Sequence, residues 1–251
     1  MTHTLFQVDA FTKEPFRGNP AAVVLLKAPE NDDWMQALAS EMNLSETAYL
    51  LPEGEGWRLR WFTPATEVDL CGHATLASAK VLFEIHPEMR DTPVNFFTRS
   101  GTLSAEWFDG SVKLNFPSMF FEPITVIAKL PTILGFQPIG AVRSGDYYLF
   151  EAFDEESIRN SQPEITALKA LPMPEVIITA RCKDPEIDFV SRFFAPQLGV
   201  DEDPVTGSAH CLLAPYWAEK LGKTEMFAYQ TSTRGGYLNL KLAGDRVFIT
   251  G

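Results

Sequence analysis

The feature that most restricts how this 251-residue chain can fold is a passage that occurs twice. Phe62, Pro64, Gly72, His73 and Ala74 are followed, in the same order, by Phe194, Pro196, Gly207, Ser208 and Ala209. Each passage runs from an aromatic through a proline and a group of acids to a glycine, then enters an apolar helix. The spacing is near half the chain and points to an internal duplication, although two helix starts can also resemble each other by chance. Strand-rich halves that each contain one apolar helix predict an α+β fold: two pseudo-symmetric domains, each a sheet wrapped around a central helix.

The surrounding sequence fills in that plan. Leu5 to Ala10 reads as a strand, Gly18-Asn19-Pro20 as a turn and Ala21 to Leu26 as a buried strand. Asn31-Asp32-Asp33 reads as a helix N-cap with acids in the first turn, and Trp34, Leu38 and Met42 fall on one face of the helix that follows. Helices are expected over about 73–85 and 208–221, with Pro215 kinking or breaking the second and Gly222 stopping it. Residues 93–116 read as strands joined by Ser-Gly and Asp-Gly turns. The Pro-rich passage from Pro117 to Pro138 is taken as the join, giving domains of 1–116 and 117–251.

Composition removes several classes of function. The formal net charge is −12 with no basic run, so nucleic acid is a poor partner. The N-terminus lacks a basic region followed by an apolar stretch, and the purest apolar run near it, Ala21 to Leu26, is far too short to span a bilayer. Three widely spaced cysteines, Cys71, Cys182 and Cys211, form neither a disulfide framework nor a CxxC pair, and suit a reducing cytoplasm. The four histidines make no HExxH or Cys/His cluster, and GxGxxG and GxxxxGK[ST] are absent, so neither a metal nor a nucleotide cofactor is expected.

Candidate chemistry gathers at the repeated passage. A glycine at a helix start lets a carboxylate or phosphate approach free backbone N–H groups, which offers Gly72-His73 and Gly207-Ser208 as anion sites; most such starts are structural. Glu46, between Ser45 and Thr47, stands before the apolar run Ala48 to Leu51. Partial burial would raise its pKa toward acid–base use, whereas a solvated strand-end glutamate is the plainer reading. Asp203 lies among acids in GVDEDPVTGS, where a solvated loop is again the plainer reading. His73 is a possible acid or hydrogen-bond donor, His210 is expected to pack within its helix, and Cys71 stands beside a helix N-terminus.

Four stretches carry a resemblance: FQVDAFTKEPFRGNPAAVVLL, LSETAYLL, LRWFTPATEVDLCGHATLASA and FFAPQLGVDEDPVTGSAHCLLAPYWAEKLGK. In this order, through nearly the whole chain, they closely resemble the phenazine-biosynthesis (PhzF-like) family, whose fold is similar to that of diaminopimelate epimerase. The resemblance implies two domains with the active site between them, a homodimer, and cofactor-free proton transfer at carbon on a small carboxylate-bearing molecule. It implies Glu46 as the acid–base residue, with His73, Asp203 and Ser208 completing the site. The chain stops at Arg246 to Gly251, in or just after a strand, where family members usually run further. Amino-acid racemases of the two-thiol type are the nearest alternative. Cys71 in CGHA matches their first thiol, but DPVTGSA has no cysteine at the second. A non-catalytic binding protein on the same fold would have no need of Glu46, His73 and Asp203 together.

Overall fold

The computed structural model describes residues 2–251, which form two compact units: residues 2–116 with Phe248–Gly251, and Pro117–Val247. The last four residues, assigned by the sequence reading to the second half, sit with the first unit. There Gly251 and Val112 exchange backbone hydrogen bonds of 3.1 and 3.2 Å.

The first unit contains β1 (Thr4–Ala10), β2 (Asn19–Leu25), α1 (Asp32–Met42), β3 (Glu46–Glu53), β4 (Gly56–Phe62), β5 (Glu67–Val68), α2 (Gly72–Ile85), β6 (Val94–Thr98), β7 (Gly101–Phe108) and β8 (Ser111–Pro117). Strands β1 and β2 are antiparallel; β2 and β3 are parallel, joined through α1. Strands β3–β4 and β4–β5 are antiparallel. β4 and β6 are parallel, joined through α2, and β6–β7 is antiparallel. Helix α1 starts as its sequence predicts: the Asn31 side chain accepts from the Trp34 N–H at 2.7 Å. Met35 and Ala39 on its inner face pack with Val24, Tyr49 and Phe62. Helix α2 is buried over nearly its whole length and packs against β1, β2, β3 and β7. Only the face carrying the Lys80–Glu84 ion pair and the last residue, Ile85, reach solvent, as expected of a mostly apolar helix at the centre of its domain.

The second unit contains β9 (Glu122–Pro123), α3 (Leu130–Leu134), β10 (Gly140–Ser144), β11 (Tyr147–Glu151), α4 (Glu155–Asn160), α5 (Ile165–Lys169), β12 (Glu175–Arg181), β13 (Phe189–Ala195), β14 (Val200–Asp203), α6 (Gly207–Leu221), β15 (Glu225–Gln230) and β16 (Gly236–Ala243); β17 (Arg246–Thr250) ends the chain. It repeats the first unit strand for strand. β10–β11 is antiparallel, β11–β12 parallel across α4 and α5, and β12–β13 and β13–β14 antiparallel. β13–β15 is parallel across α6, and β15–β16 antiparallel. A separate core of Phe150, Ile158, Leu168, Val176, Ile178 and Phe194 fills one face.

The registers turn the loose repeat into residue equivalences. Thr47 pairs with Phe62 and Val176 with Phe194, so the preceding residues, Glu46 and Glu175, hold one position of the plan. Trp61 pairs with Val68 and Phe193 with Asp203. Counting on equally from Val68 and Asp203 reaches Cys71 and Thr206, Gly72 and Gly207, then His73 and Ser208.

Two local expectations are corrected. Asn19 and Pro20 do not form a turn: Gly18, at φ +64°, completes the turn, and Asn19 is the first residue of β2. A side chain at Gly18 would strike the Ala10 carbonyl oxygen. Pro215 does not break α6, which runs from Gly207 to Leu221 with the proline inside it. Proline leaves the carbonyl four residues before it without its helical donor, and the Cys211 carbonyl instead accepts from the Met119 N–H at 2.9 Å. Gly222 ends the helix in the left-handed conformation, as expected. Among the described residues no helix is long and apolar enough to cross a membrane.

Candidate active site

In the first unit the site grows from three backbone positions. Glu46 opens β3, Asn19 opens β2, and His73 stands in the first turn of α2. His73 is 5% exposed, and its two ring nitrogens face different neighbours. The Asn19 amide nitrogen lies 3.2 Å from Nδ1 and Cys71 Sγ lies 3.5 Å from it. Nε2 lies 3.1 Å from Glu46 Oε2. That last approach is close but not aligned as a hydrogen bond.

These contacts settle the protonation of His73. Burial pushes its pKa down to about 3, so the ring is neutral at physiological pH. With the Asn19 amide nitrogen turned to Nδ1, that ring nitrogen accepts, and this arrangement places the single ring proton on Nε2, facing Glu46. The result is a carboxylate beside a neutral donor rather than beside a cation. Such a carboxylate is oriented without being locked into a strong ion pair, which suits a group that must take up and release a proton.

The second unit treats the acids of its repeat differently. Asp201 is exposed, and Glu202 is gripped by both arms of Arg192 at 2.7 and 2.8 Å. Asp203 is neither solvated nor in a loop: it ends β14 and is 8% exposed. It accepts a hydrogen bond from the Thr206 hydroxyl. Gln230, fully buried, ties this turn together. Its amide nitrogen donates to the Asp203 carbonyl at 2.8 Å and its oxygen accepts from the Thr206 N–H at 2.9 Å. Gly207 opens α6 and Ser208, half-buried, follows it. His210 packs within the helix as expected. Its Nδ1 donates to the Thr206 carbonyl at 2.8 Å, and burial pushes its pKa down to about 4.

The two helix starts share one further property. Helices α1, α4 and α5 have N-caps whose side chains accept a backbone N–H, whereas the N-caps of α2, α6 and the five-residue α3, namely Cys71, Thr206 and Lys129, do not. The first-turn donors of α2 and α6 therefore lack the side-chain cap that most helix starts acquire, the condition for receiving an anion.

Cys71 has Thr206 at its equivalent position in the second unit, so the repeat supplies no second thiol. Cys211 lies deeper in α6, where burial pushes its thiol up to about 12. The ligand atoms of Glu46, Cys71 and His73 do come within 4.8 Å of one another, a grouping the sequence motifs did not show. Cys71 and Glu46 approach opposite nitrogens of the ring, and an ion taken up on Nδ1 beside Cys71 would displace the Asn19 contact. Asn19, Gln230 and the neighbours of Glu175 escaped the sequence reading. The signal for Asn19 was its place directly after an obligatory turn glycine, at the head of a buried strand.

The family model described as phenazine biosynthesis-like protein matches residues 8–251. A protein of Halalkalibacterium halodurans, named an uncharacterized isomerase, is 49% identical over 252 residues, covering 100% of this chain and 95% of that relative. The crystal structure of a phenazine biosynthesis protein of the PhzF family from Enterococcus faecalis superposes with a TM-score of 0.96 at 42% identity, over 100% of this chain and 95% of that one. A protein of Pseudomonas aeruginosa titled a predicted epimerase shares the fold, with a TM-score of 0.76 at 22% identity over 100% of this chain and 95% of that one.

Proposed function

From the phenazine biosynthesis-like family, to which this chain belongs, we propose an isomerase that moves a proton between carbons of a small carboxylate-bearing metabolite, without a cofactor. Glu46 is the acid–base residue: it removes a proton from an activated carbon and returns it at another. The observation that supports this most directly is the neutral His73 with Nε2 at 3.1 Å from Glu46 Oε2. His73 donates to the carboxylate or to substrate and so orients the reacting groups. The uncapped N–H groups at Gly72-His73 or Gly207-Ser208 receive the substrate carboxylate, Ser208 adds a hydrogen bond, and Asp203 assists proton movement or orientation. The same reading takes the protein to be a cytoplasmic homodimer, which sedimentation across a wide concentration range would test.

Racemisation by a thiol pair has no support at the second helix start, where Thr206 stands in place of a cysteine. The direct test of the acid–base role is Glu46→Gln, which keeps shape but cannot accept the proton. It should bind ligand about as well as the wild type and lose about 10²–10⁴-fold in turnover, the range of a positioned acid–base group. Normal turnover of the physiological substrate by this variant would remove Glu46 from the mechanism.

A further inference from the structure

Three side chains with three kinds of donor atom meet at the start of α2. One ligand atom each of Glu46, Cys71 and His73 lies within 4.8 Å of the other two. The sulfur and nitrogen of this group are already spaced for a metal. Cys71 Sγ stands 3.5 Å from His73 Nδ1. A tetrahedral ion with a metal–sulfur bond of about 2.3 Å and a metal–nitrogen bond of about 2.0–2.1 Å holds two such atoms about 3.5 Å apart. Cys71 and His73 are buried, at 7% and 5% exposed, and Glu46 is half-buried. Bulk water therefore competes little for a cation there, and the charge of the carboxylate acts on it strongly.

We propose that Glu46, Cys71 and His73 form a reversible inhibitory site for a divalent cation of the zinc type. Cys71 Sγ and His73 Nδ1 are its anchors and the Glu46 carboxylate is its third ligand. One thiolate, one imidazole and one carboxylate make a donor set for zinc or cobalt, whereas magnesium and calcium take oxygen ligands. Three protein ligands leave the fourth position to water. His73 is neutral, as a metal-bound imidazole must be. The Cys71 thiol gives its proton to solvent as the sulfur–metal bond forms, and no electron moves.

Two contacts change when the ion enters. The Asn19 amide, now 3.2 Å from Nδ1, leaves that nitrogen. The Glu46 carboxylate turns from Nε2, now 3.1 Å away, toward the ion. That turn is within reach, because a carboxylate oxygen already stands within 4.8 Å of the Cys71 sulfur. The ion is thus an inhibitor and not a cofactor: a carboxylate bound to a cation no longer accepts a proton from substrate. This consequence rests on the reading of Glu46 as the acid–base residue. The binding itself does not.

Cobalt(II) is the probe, because a thiolate ligand gives it a charge-transfer band in the near ultraviolet and tetrahedral geometry gives it strong visible bands. The reduced, metal-free protein should develop both at neutral pH. Equimolar zinc should bleach them, and magnesium should not. Cys71→Ser should lose the charge-transfer band, whereas Cys182→Ser, which removes the half-buried thiol of the other unit, should keep it. Glu46→Gln should weaken binding at least about tenfold, since loss even of an outer-shell partner of a metal site costs about 10–100-fold. Asn19→Ala relieves Nδ1 of its present partner and should bind cobalt about fivefold tighter, the worth of one ordinary hydrogen bond. Misfolding cannot imitate that gain. The site is overturned if the wild type shows no thiolate band, if the band survives in Cys71→Ser, or if Asn19→Ala binds no tighter. With the physiological substrate, zinc should stop turnover and a chelator should restore it. Undiminished turnover with the cobalt bands fully formed overturns the inhibitory role, and places the fault in the reading of Glu46, since the spectra establish the ion independently of it.

Discussion

The two units share a strand order, a pattern of parallel and antiparallel pairings and a buried Gly-led helix, yet the same positions carry different chemistry. At the first helix start stand Cys71, Gly72 and a buried neutral His73 against Glu46; at the second stand Thr206, Gly207 and Ser208 beside a buried Asp203. Only the glycine persists. A first turn without a side chain there leaves the N–H donors approachable. The side chains around it are free to differ, and here one unit holds a carboxylate–imidazole contact while the other holds the Thr206 hydroxyl, fixed by Asp203 and Gln230. On the proposed function the first unit does the proton transfer and the second contributes to binding.

Substitutions at the first unit should have the larger effects. Asn19→Asp replaces an obligatory donor by an acceptor, so Nδ1 must take a proton. His73 then either turns its unprotonated Nε2 to Glu46 or becomes a cation between two carboxylates. Nitrogen-15 spectra should show the wild-type ring protonated on Nε2 alone and the variant on Nδ1 or on both. Turnover should fall about 10–100-fold, less than the 10²–10⁴-fold of losing the acid–base group itself, because Glu46 remains. A purely structural Asn19 would lower stability but leave the tautomer as it was.

A smaller effect, on stability, is expected in the second unit. Glu175 has a folded-state pKa raised to about 7 by burial, against about 4.3 for a free glutamate. The native state holds that proton more tightly than the unfolded chain does. The resulting stability is present in full below the unfolded value and is lost as pH rises through about 7. Glu175→Gln abolishes this term, so the variant should gain on the wild type by about 1–2 kcal/mol between pH 4.5 and 8, a figure discounted for partial exposure. Urea titrations of both proteins across that range would show the difference, and parallel curves would contradict it.

The smallest effect belongs to Cys71. It contacts Nδ1 of His73 at 3.5 Å, with Asn19 nearer on the same nitrogen. Cys71→Ser should therefore keep most turnover. A loss of several orders of magnitude would instead make the thiol a base, and would upset the contrast drawn between the two helix starts.

Much of this contrast can be read from residue order alone. Glycine before an apolar run marks both central helices, Asn31 marks the start of α1, and Gly222 the end of α6, because these are local rules of backbone geometry. What local rules miss is the partner that arrives from elsewhere in the chain. Gly-Asn-Pro spells a turn, yet one positive-φ glycine completes it and frees Asn19 to enter a strand and reach His73, far along the chain. Pro215 spells a break, yet Met119 supplies the hydrogen bond its helix lacks. Asp203 sits in an acidic run that reads as solvated, and only Arg192, Thr206 and Gln230 sort its members into exposed, paired and buried. Glu175 carries no motif at all; its equivalence to Glu46 emerges from strand register.

The claim that Glu46 moves a proton between carbons is tested most directly by turnover of the physiological substrate in heavy water. The wild type should place deuterium at the receiving carbon of the product, or pass the original proton there without exchange, and Glu46→Gln should do neither at a comparable rate. Product formed by Glu46→Gln as fast as by the wild type, with the same isotope content, would contradict the account.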